Sequence, residues 1–277
     1  MRVQSVITPC INNNLSFGSL DFNSYEYVDY KGKLRKSQCT TGRRTDLNYD
    51  NAADIIIKRF RDFDNVKIMP MNVSDGTEAY FLANSLIRKV GFEEFKKRYA
   101  PICASDVYAP VIKSYPANGI VFFNKEEFSH FNNQRKILFR KVNPKIYETS
   151  VINPIDLQYK NLYKLMPDFR DCFNFQAIDL QKRLKLLKDQ GNSVILIRNC
   201  LYHSFGEGES IEIIKKVASK LKGESLFIIG GFDRVKMPEF MTAMNKYFKE
   251  IDYNIFQKKV SNSVVKNSLL DLIMKNI

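Results

Sequence analysis

The chain has 277 residues, 44% of them hydrophobic and 26% charged, a size and balance that suit one large α/β domain or a core domain with an appendage. Its 43 Lys and Arg against 30 Asp and Glu give a net charge of +13, which admits an acidic partner, yet the basic residues are scattered and no nucleic-acid motif accompanies them, so nucleic acid is not the favoured partner. No apolar run approaches the roughly 18 residues of a membrane span, the five cysteines form no C-x-x-C pair, and the two histidines, His130 and His203, lie too far apart in sequence for a His-rich metal site, so no metal is expected.

Residues 1 to about 37 are polar and aromatic, punctuated by Gly18 and Gly32, and read as an arm of short strands or irregular chain. Met1 to Cys10 lacks the apolar core of a signal peptide, so a cytoplasmic location is expected. A polar loop, Thr40 to Asp46, precedes a helix near 49–63 with Asp50 or Asn51 as its cap. Val66 to Met71 is a short apolar run. It breaks at Ser74-Asp75-Gly76 and resumes as a helical pattern, Ala79, Leu82, Ala83, Leu86 and Ile87, ended by Gly91. This is strand, tight turn and helix. Such a turn is either a plain connection or a ligand loop, in which Gly76 admits close approach and Glu78 offers an acceptor in the first helical turn.

A second amphipathic segment, Phe92 to Tyr99, leads to the strand Ile102 to Val107, which closes on Asp106, 28 residues after Glu78. A carboxylate there caps a helix or accepts from ribose hydroxyls. Residues 118–172 read as a small β-rich insertion: a helical piece near 124–131 capped by Asn124, and a hairpin of 136–142 with 145–152 about Asn143-Pro144. The α/β pattern then returns. A strand from Cys172 ends at Asp179-Leu180, and a basic helix follows at 181–189. Ser193 to Arg198 is the most apolar strand and so the central one. Asn199 to Phe205 reads as a loop, Gly206-Glu207-Gly208 as a turn, and 209–221 as a helix. A strand at 226–229, a helix at 238–250, a final strand at 253–260 and an amphipathic tail from Ser263 complete the chain.

The features at strand ends, Ser74 to Glu78, Asp106, Asp179-Leu180 and Arg198-Asn199, converge on one edge of a mostly parallel sheet and suit a nucleoside-like ligand. These residues resemble the S-adenosylmethionine-dependent glutamate methyltransferases of bacterial chemotaxis receptors, the CheR type. The family's S-T-G-E-E-P-Y-S-x-A corresponds to Ser74-Asp75-Gly76-Thr77-Glu78-Ala79-Tyr80-Phe81-Leu82-Ala83, its A-T/S-D-I-D to Ala104-Ser105-Asp106-Val107-Tyr108, and its C-R-N-V-x-I-Y-F to Ile197-Arg198-Asn199-Cys200-Leu201-Tyr202-His203-Ser204-Phe205. Its T-x-F-F-R corresponds to Thr40-Thr41-Gly42-Arg43-Arg44. The resemblance spans residues 38–260 and implies a Rossmann-like class I methyltransferase sheet, mostly parallel and of the seven-stranded type, with helices on both faces and a small β-rich insertion. It implies a methyltransferase domain over 38–277 and a bacterial source.

Carried over, Ser74, Gly76, Glu78, Asp106 and Val107 would hold the methionine and ribose parts of S-adenosylmethionine, with S-adenosylhomocysteine as product. Asp179 and Leu180 would border the adenine, and Arg198 and Asn199 the reaction site. Thr40 and Arg44 would close over the methionine end, with Arg44 steering the acceptor. His203 stands where the family has its reaction-site tyrosine, and Tyr202 is one place away. The resemblance does not include the family's N-terminal helical domain, and the arm stands in its place. The implied activity is methyl transfer to a carboxylate of a protein substrate. A different acceptor (another protein side chain, a small molecule or a nucleic acid) and a catalytically silent binding protein remain open, as does oligomeric state.

Overall fold

The computed structural model describes residues 23–29, 31–39, 47–107, 109–132, 138–143, 161–187 and 191–259. Thr40, Arg44 and the amphipathic tail lie outside them.

The arm contains a hairpin, β1 (Asn23–Val28) paired antiparallel with β2 (Leu34–Cys39), so it runs past the expected boundary at residue 37. Its turn is closed by Asp29, whose Oδ1 accepts from the amides of Lys31 at 2.8 Å and Lys33 at 3.0 Å, while Gly32 takes the positive φ. Helix α1 (Tyr49–Arg59) follows. Its cap is Asn48, two or three residues before the expected Asp50 or Asn51, and the Asn48 side chain accepts from the Asn51 amide at 3.1 Å. Asp50 and Asn51 lie in the first turn instead, where their own amides need a partner behind them.

The body alternates strand and helix. Strand β3 (Lys67–Met71) leads to α2 (Thr77–Val90) and α3 (Phe92–Arg98), then β4 (Ile102–Asp106) to α4 (Ala109–Ser114). After the insertion come β8 (Phe173–Ala177), α6 (Leu180–Leu186), β9 (Ser193–Ile197), α7 (Leu201–Lys220), β10 (Leu226–Ile229), α8 (Gly231–Lys236), α9 (Pro238–Tyr247), β11 (Phe248–Asp252) and β12 (Ile255–Lys258). Among the described residues the main sheet has seven strands in the order β8-β4-β3-β9-β10-β12-β11, with β12 running opposite to the other six. Numbered along the chain within this sheet, the order is 3-2-1-4-5-7-6. This is the Rossmann-like sheet of class I methyltransferases.

Strand β9 is the middle strand and is buried at every position, as its apolar run predicts. Its alternation feeds both faces. Val194 and Leu196 join the core under α1, α2 and α3, whereas Ile195 and Ile197 join the core under α6, α7 and α9. Each such fully buried side chain stabilises the fold by about 1.5–3 kcal/mol before entropy is counted.

The insertion is a three-stranded antiparallel sheet, β5 (Ile120–Phe123), β7 (Asn161–Leu165) and β6 (Phe139–Lys141), with α5 (Lys125–Asn132). Asn124 caps α5 as expected, in a reciprocal box with Glu127: the Glu127 amide donates to Asn124 Oδ1 at 2.7 Å and the Asn124 amide to Glu127 Oε2 at 2.8 Å. Strand β6 pairs with β7, and the second strand of the expected hairpin, 145–152, lies outside the described residues. Strand β5 has no alternation to reveal it, since all four of its side chains are buried.

Two further expectations are corrected. Residues 201–205 are the first turn of α7, not a loop, and Gly206 sits inside that helix as a kink with φ 68° and ψ 176°. Helix α9 stops at Tyr247, so 248–250 belong to strand β11. Helix α8 occupies a segment for which the sequence suggests no element.

Candidate functional site

The order of the sheet reverses between β3 and β9, and at such a switch point the connections leave in opposite directions and open a crevice at the carboxyl ends. Met71 and Ile197 end these two strands in register, and Asp106 ends β4 opposite Ala177. The residues that follow therefore share one edge.

The loop after β3 is tightly wound. Asn72, Ser74 and Gly76 all have positive φ, at 58°, 52° and 80°. A non-glycine residue held this way costs on the order of 1–3 kcal/mol, so the loop is held from outside. Asp106 supplies one tether: its Oδ2 accepts from the Ser74 amide at 2.8 Å, and both residues are buried. Asp75 Oδ1 accepts from the Thr77 amide at 3.0 Å and so starts α2. Gly76 caps that helix through its backbone. A Cβ there would lie 2.7 Å from Pro116 Cβ and 2.8 Å from Phe175 Cε1. The close approach inferred from sequence is thus made by the insertion side of the molecule, with no room left for a side chain. Beyond those two residues a cavity of about 630 Å³ opens, walled by Phe173 and Phe175 and rimmed by Lys113, Lys164 and Arg170.

Glu78 and Arg198 meet across the switch point. Arg198 Nη1 donates to Glu78 Oε1 and, at 3.1 Å, to the hydroxyl of Tyr49, and its guanidinium carbon lies 5.7 Å from the centre of the Tyr49 ring. Both charges are buried, Glu78 at 3% and Arg198 at 0% exposure. A buried ion pair repays its desolvation only when geometry and extra hydrogen bonds are good. Here it joins the first turn of α2 to the end of β9 and fixes the width of the crevice. Tyr49 carries no motif in the sequence. Its place at the start of α1, stacked on Phe81 with centroids 5.5 Å apart, becomes visible only in the fold.

Asn199 follows with φ 54°, and its Oδ1 accepts from the Phe232 amide at 3.0 Å. Gly230 faces it so closely that any Cβ would collide with the Asn199 side chain and backbone. The paired glycines after β10 are the sequence signal for this contact. Tyr202 and His203 lie on the first turn of α7, exposed, with the Tyr202 amide donating to Asp233 Oδ1 at 3.0 Å. The His203 ring stacks on Phe232 at 4.8 Å and 11°. Partial burial pulls its pKa below the ordinary 6.5, so the imidazole is neutral at pH 7.

On the other side of β3, Val107 is half-buried just past Asp106. Asp179 caps α6, accepting from the Lys182 amide at 3.0 Å, and Leu180 is buried behind it. Asp179 is 8% exposed, and its Oδ2 is buried with no hydrogen-bond partner among the described residues. Desolvation raises its pKa, opposed by the amides of Lys182 and Gln181, with Asp29 pushing it up and Arg35 pulling it down. Thr40 and Arg44 lie outside the described residues. Among those described, no group of His, Cys, Asp and Glu could hold a metal ion, and no helix is long and apolar enough to cross a membrane.

No protein-family model matches the chain, and no curated protein matches it. Thirteen solved chains are similar in part, these two among them. One is WbdD, in co-crystal with the kinase inhibitor LY294002, at 9% identity and a TM-score of 0.32, over 66% of this chain. This chain covers 30% of that one. The other is the precorrin-6y C5,15-methyltransferase of Geobacter metallireducens, at 10% identity and a TM-score of 0.32, over 79% of this chain and 88% of that one. Likenesses this distant carry no argument, and the fold rests on strand order and direction.

Proposed function

We propose that the protein is an S-adenosylmethionine-dependent methyltransferase, and that its acceptor is a carboxylate of a protein, as in the CheR-type enzymes it resembles. The observation that supports this reading is the carboxyl edge at the β3/β9 switch point, where Glu78, Asp106, Asp179 and Arg198 are gathered and buried. The residues present fit the nucleoside end of the cofactor, since the partnerless Asp179 Oδ2 can accept an N–H and the Asp106 carboxylate stands at the end of β4. When bound, the cofactor supplies an activated methyl group on a sulfonium sulfur. The chain's own residues bind, orient and exclude water. Glu78 and Arg198 set the crevice width, and Asn199 fixes the loop facing it. A carboxylate acceptor is already ionised at neutral pH and needs placement more than a base. Arg44 is the residue proposed to steer it.

A second reading, with the same cofactor but a protic acceptor, is favoured by His203. The imidazole occupies the family's tyrosine position, is exposed, and is neutral at pH 7, so it can accept a proton from a hydroxyl or amine.

Calorimetry with S-adenosylmethionine and S-adenosylhomocysteine tests the cofactor. Saturable heat is expected, and silence with both up to millimolar concentration overturns the proposal. Transfer of a tritiated methyl group then separates the acceptors. A carboxylate gives an alkali-labile ester, with a rate that does not follow the ionisation of His203. A protic acceptor gives a stable product whose rate falls as pH drops through the His203 pKa, below 6.5.

A further inference from the structure

The hairpin of the arm does not hang from the body. Strand β2 packs on α7, with the buried Arg35 side chain at the centre of the contact. Arg35 Nε donates to Asp29 Oδ2 at 2.9 Å, its Nη1 donates to Glu209 Oε2, and its guanidinium carbon lies 5.0 Å from the centre of the Phe205 ring. Lys33 Nζ adds a second bond to Glu209 Oε1 at 2.7 Å. The side chains of Arg35 and Asp29 are 4% and 0% exposed. Phe205 and Glu209 stand either side of the Gly206 kink, so the hairpin grips α7 where its first turn joins its main length. The buried Asp29–Arg35 pair lies within the hairpin and costs desolvation, and such a pair is most useful where one position must be kept. The link to α7 ends on Glu209, whose side chain is 35% exposed.

Helix α7 also packs against α6, which Asp179 caps, and the Asp179 carboxyl feels the charges of both Asp29 and Arg35. Asp179 Oδ2 is buried without a hydrogen-bond partner among the described residues, so an N–H donor is called for at this end of the crevice. We infer that the β1–β2 hairpin is the outer wall of the nucleoside end of the site, and that Arg35 is the positioning residue that fastens it over the base. The inference rests on the cofactor reading above. The exocyclic amine of adenine supplies the donor that Asp179 Oδ2 calls for, and Arg35 acts on the ligand only through the hairpin's place.

The test uses the full chain, wild type, Arg35→Met and Glu209→Gln, with two ligands: S-adenosylhomocysteine and 5′-methylthioadenosine, which lacks the amino-acid end. Arg35→Met is expected to weaken both by about tenfold or more, by an equal factor, because the loss is in pre-organisation at the shared nucleoside. Glu209→Gln keeps the Asp29–Arg35 pair and is expected to weaken both by about threefold, with an unchanged melting temperature. Hydrogen exchange of the amides of residues 31–37 is expected to slow in wild type on adding either ligand. Equal affinity in wild type and Glu209→Gln, with no slowing of hairpin exchange, overturns the inference while leaving the cofactor reading intact. A loss confined to S-adenosylhomocysteine also overturns it, by placing the hairpin at the methionine end. Wild type that binds neither ligand overturns the cofactor reading and this inference with it.

Discussion

Asp179 is a residue whose two duties conflict. As a helix cap it needs only an oxygen to accept the Lys182 amide, which an asparagine provides equally. As a buried carboxylate it loses solvation, and its pKa is raised from 3.8 in the folded chain. A carboxyl whose folded pKa lies above its unfolded value holds its proton more tightly when folded. Its ionisation therefore opposes folding as pH rises through that window, and the cost disappears on acidification. Asp179→Asn is thus expected to raise the melting temperature by about 2–4 °C at pH 7, with the difference from wild type shrinking as pH falls toward 4. The same change removes an acceptor from the proposed nucleoside end, so affinity for S-adenosylhomocysteine is expected to fall. Thermal melts across pH and calorimetry on one preparation check both. Gly76 presents the opposite case, a residue with no alternative. A side chain there meets both a positive φ and the Pro116 and Phe175 wall, and Gly76→Ala is expected to cost about 2–4 kcal/mol in urea unfolding.

Between elements, the Glu78–Arg198 pair is the joint that matters, because it links α2 to β9 across the switch point. Arg198→Met alone is expected to destabilise by about 3–5 kcal/mol, leaving a buried carboxylate beside Tyr49 without its guanidinium. The double variant with Glu78→Met is expected to recover most of that loss, and a double-mutant cycle in urea measures the coupling. The elements also show what the chain discloses of itself. The apolar run of β9 identified the central strand, because burial on both faces leaves no polar position. The breaks at Ser74 to Gly76 and at Asp106 and Asp179 located the strand ends, since turns and caps demand particular residue types. Residues 201–205 read as a loop because Gly206 looks like a terminator, whereas the helix resumes beyond the kink there. The start of strand β11 is hidden because Phe248 continues the apolar spacing of the preceding helix. The contacts made by Tyr49, Arg35 and Glu209 could not be read at all. They join residues 149, 174 and more positions apart, and nothing local marks a residue for such a meeting.

At the scale of the whole molecule, the Rossmann-like sheet places its crevice between two cores, so a ligand bound there should brace both. Ligand present at 100 times its dissociation constant stabilises the native state by about 2.7 kcal/mol, and a single cooperative melt is expected to move upward with S-adenosylhomocysteine concentration. Two separate transitions would show instead that the hairpin or the insertion melts on its own. The position of β12 has a consequence for biosynthesis. This strand lies between β10 and β11 but is made after both. Strand β11 pairs only with β12, to which residues 253 and 254 join it, so these two strands reach the sheet as an antiparallel hairpin whose β12 side docks on β10. Until residues 255–258 are made, the edge of β10 stays open, the kind of surface that chaperones hold and that neighbouring nascent chains can join.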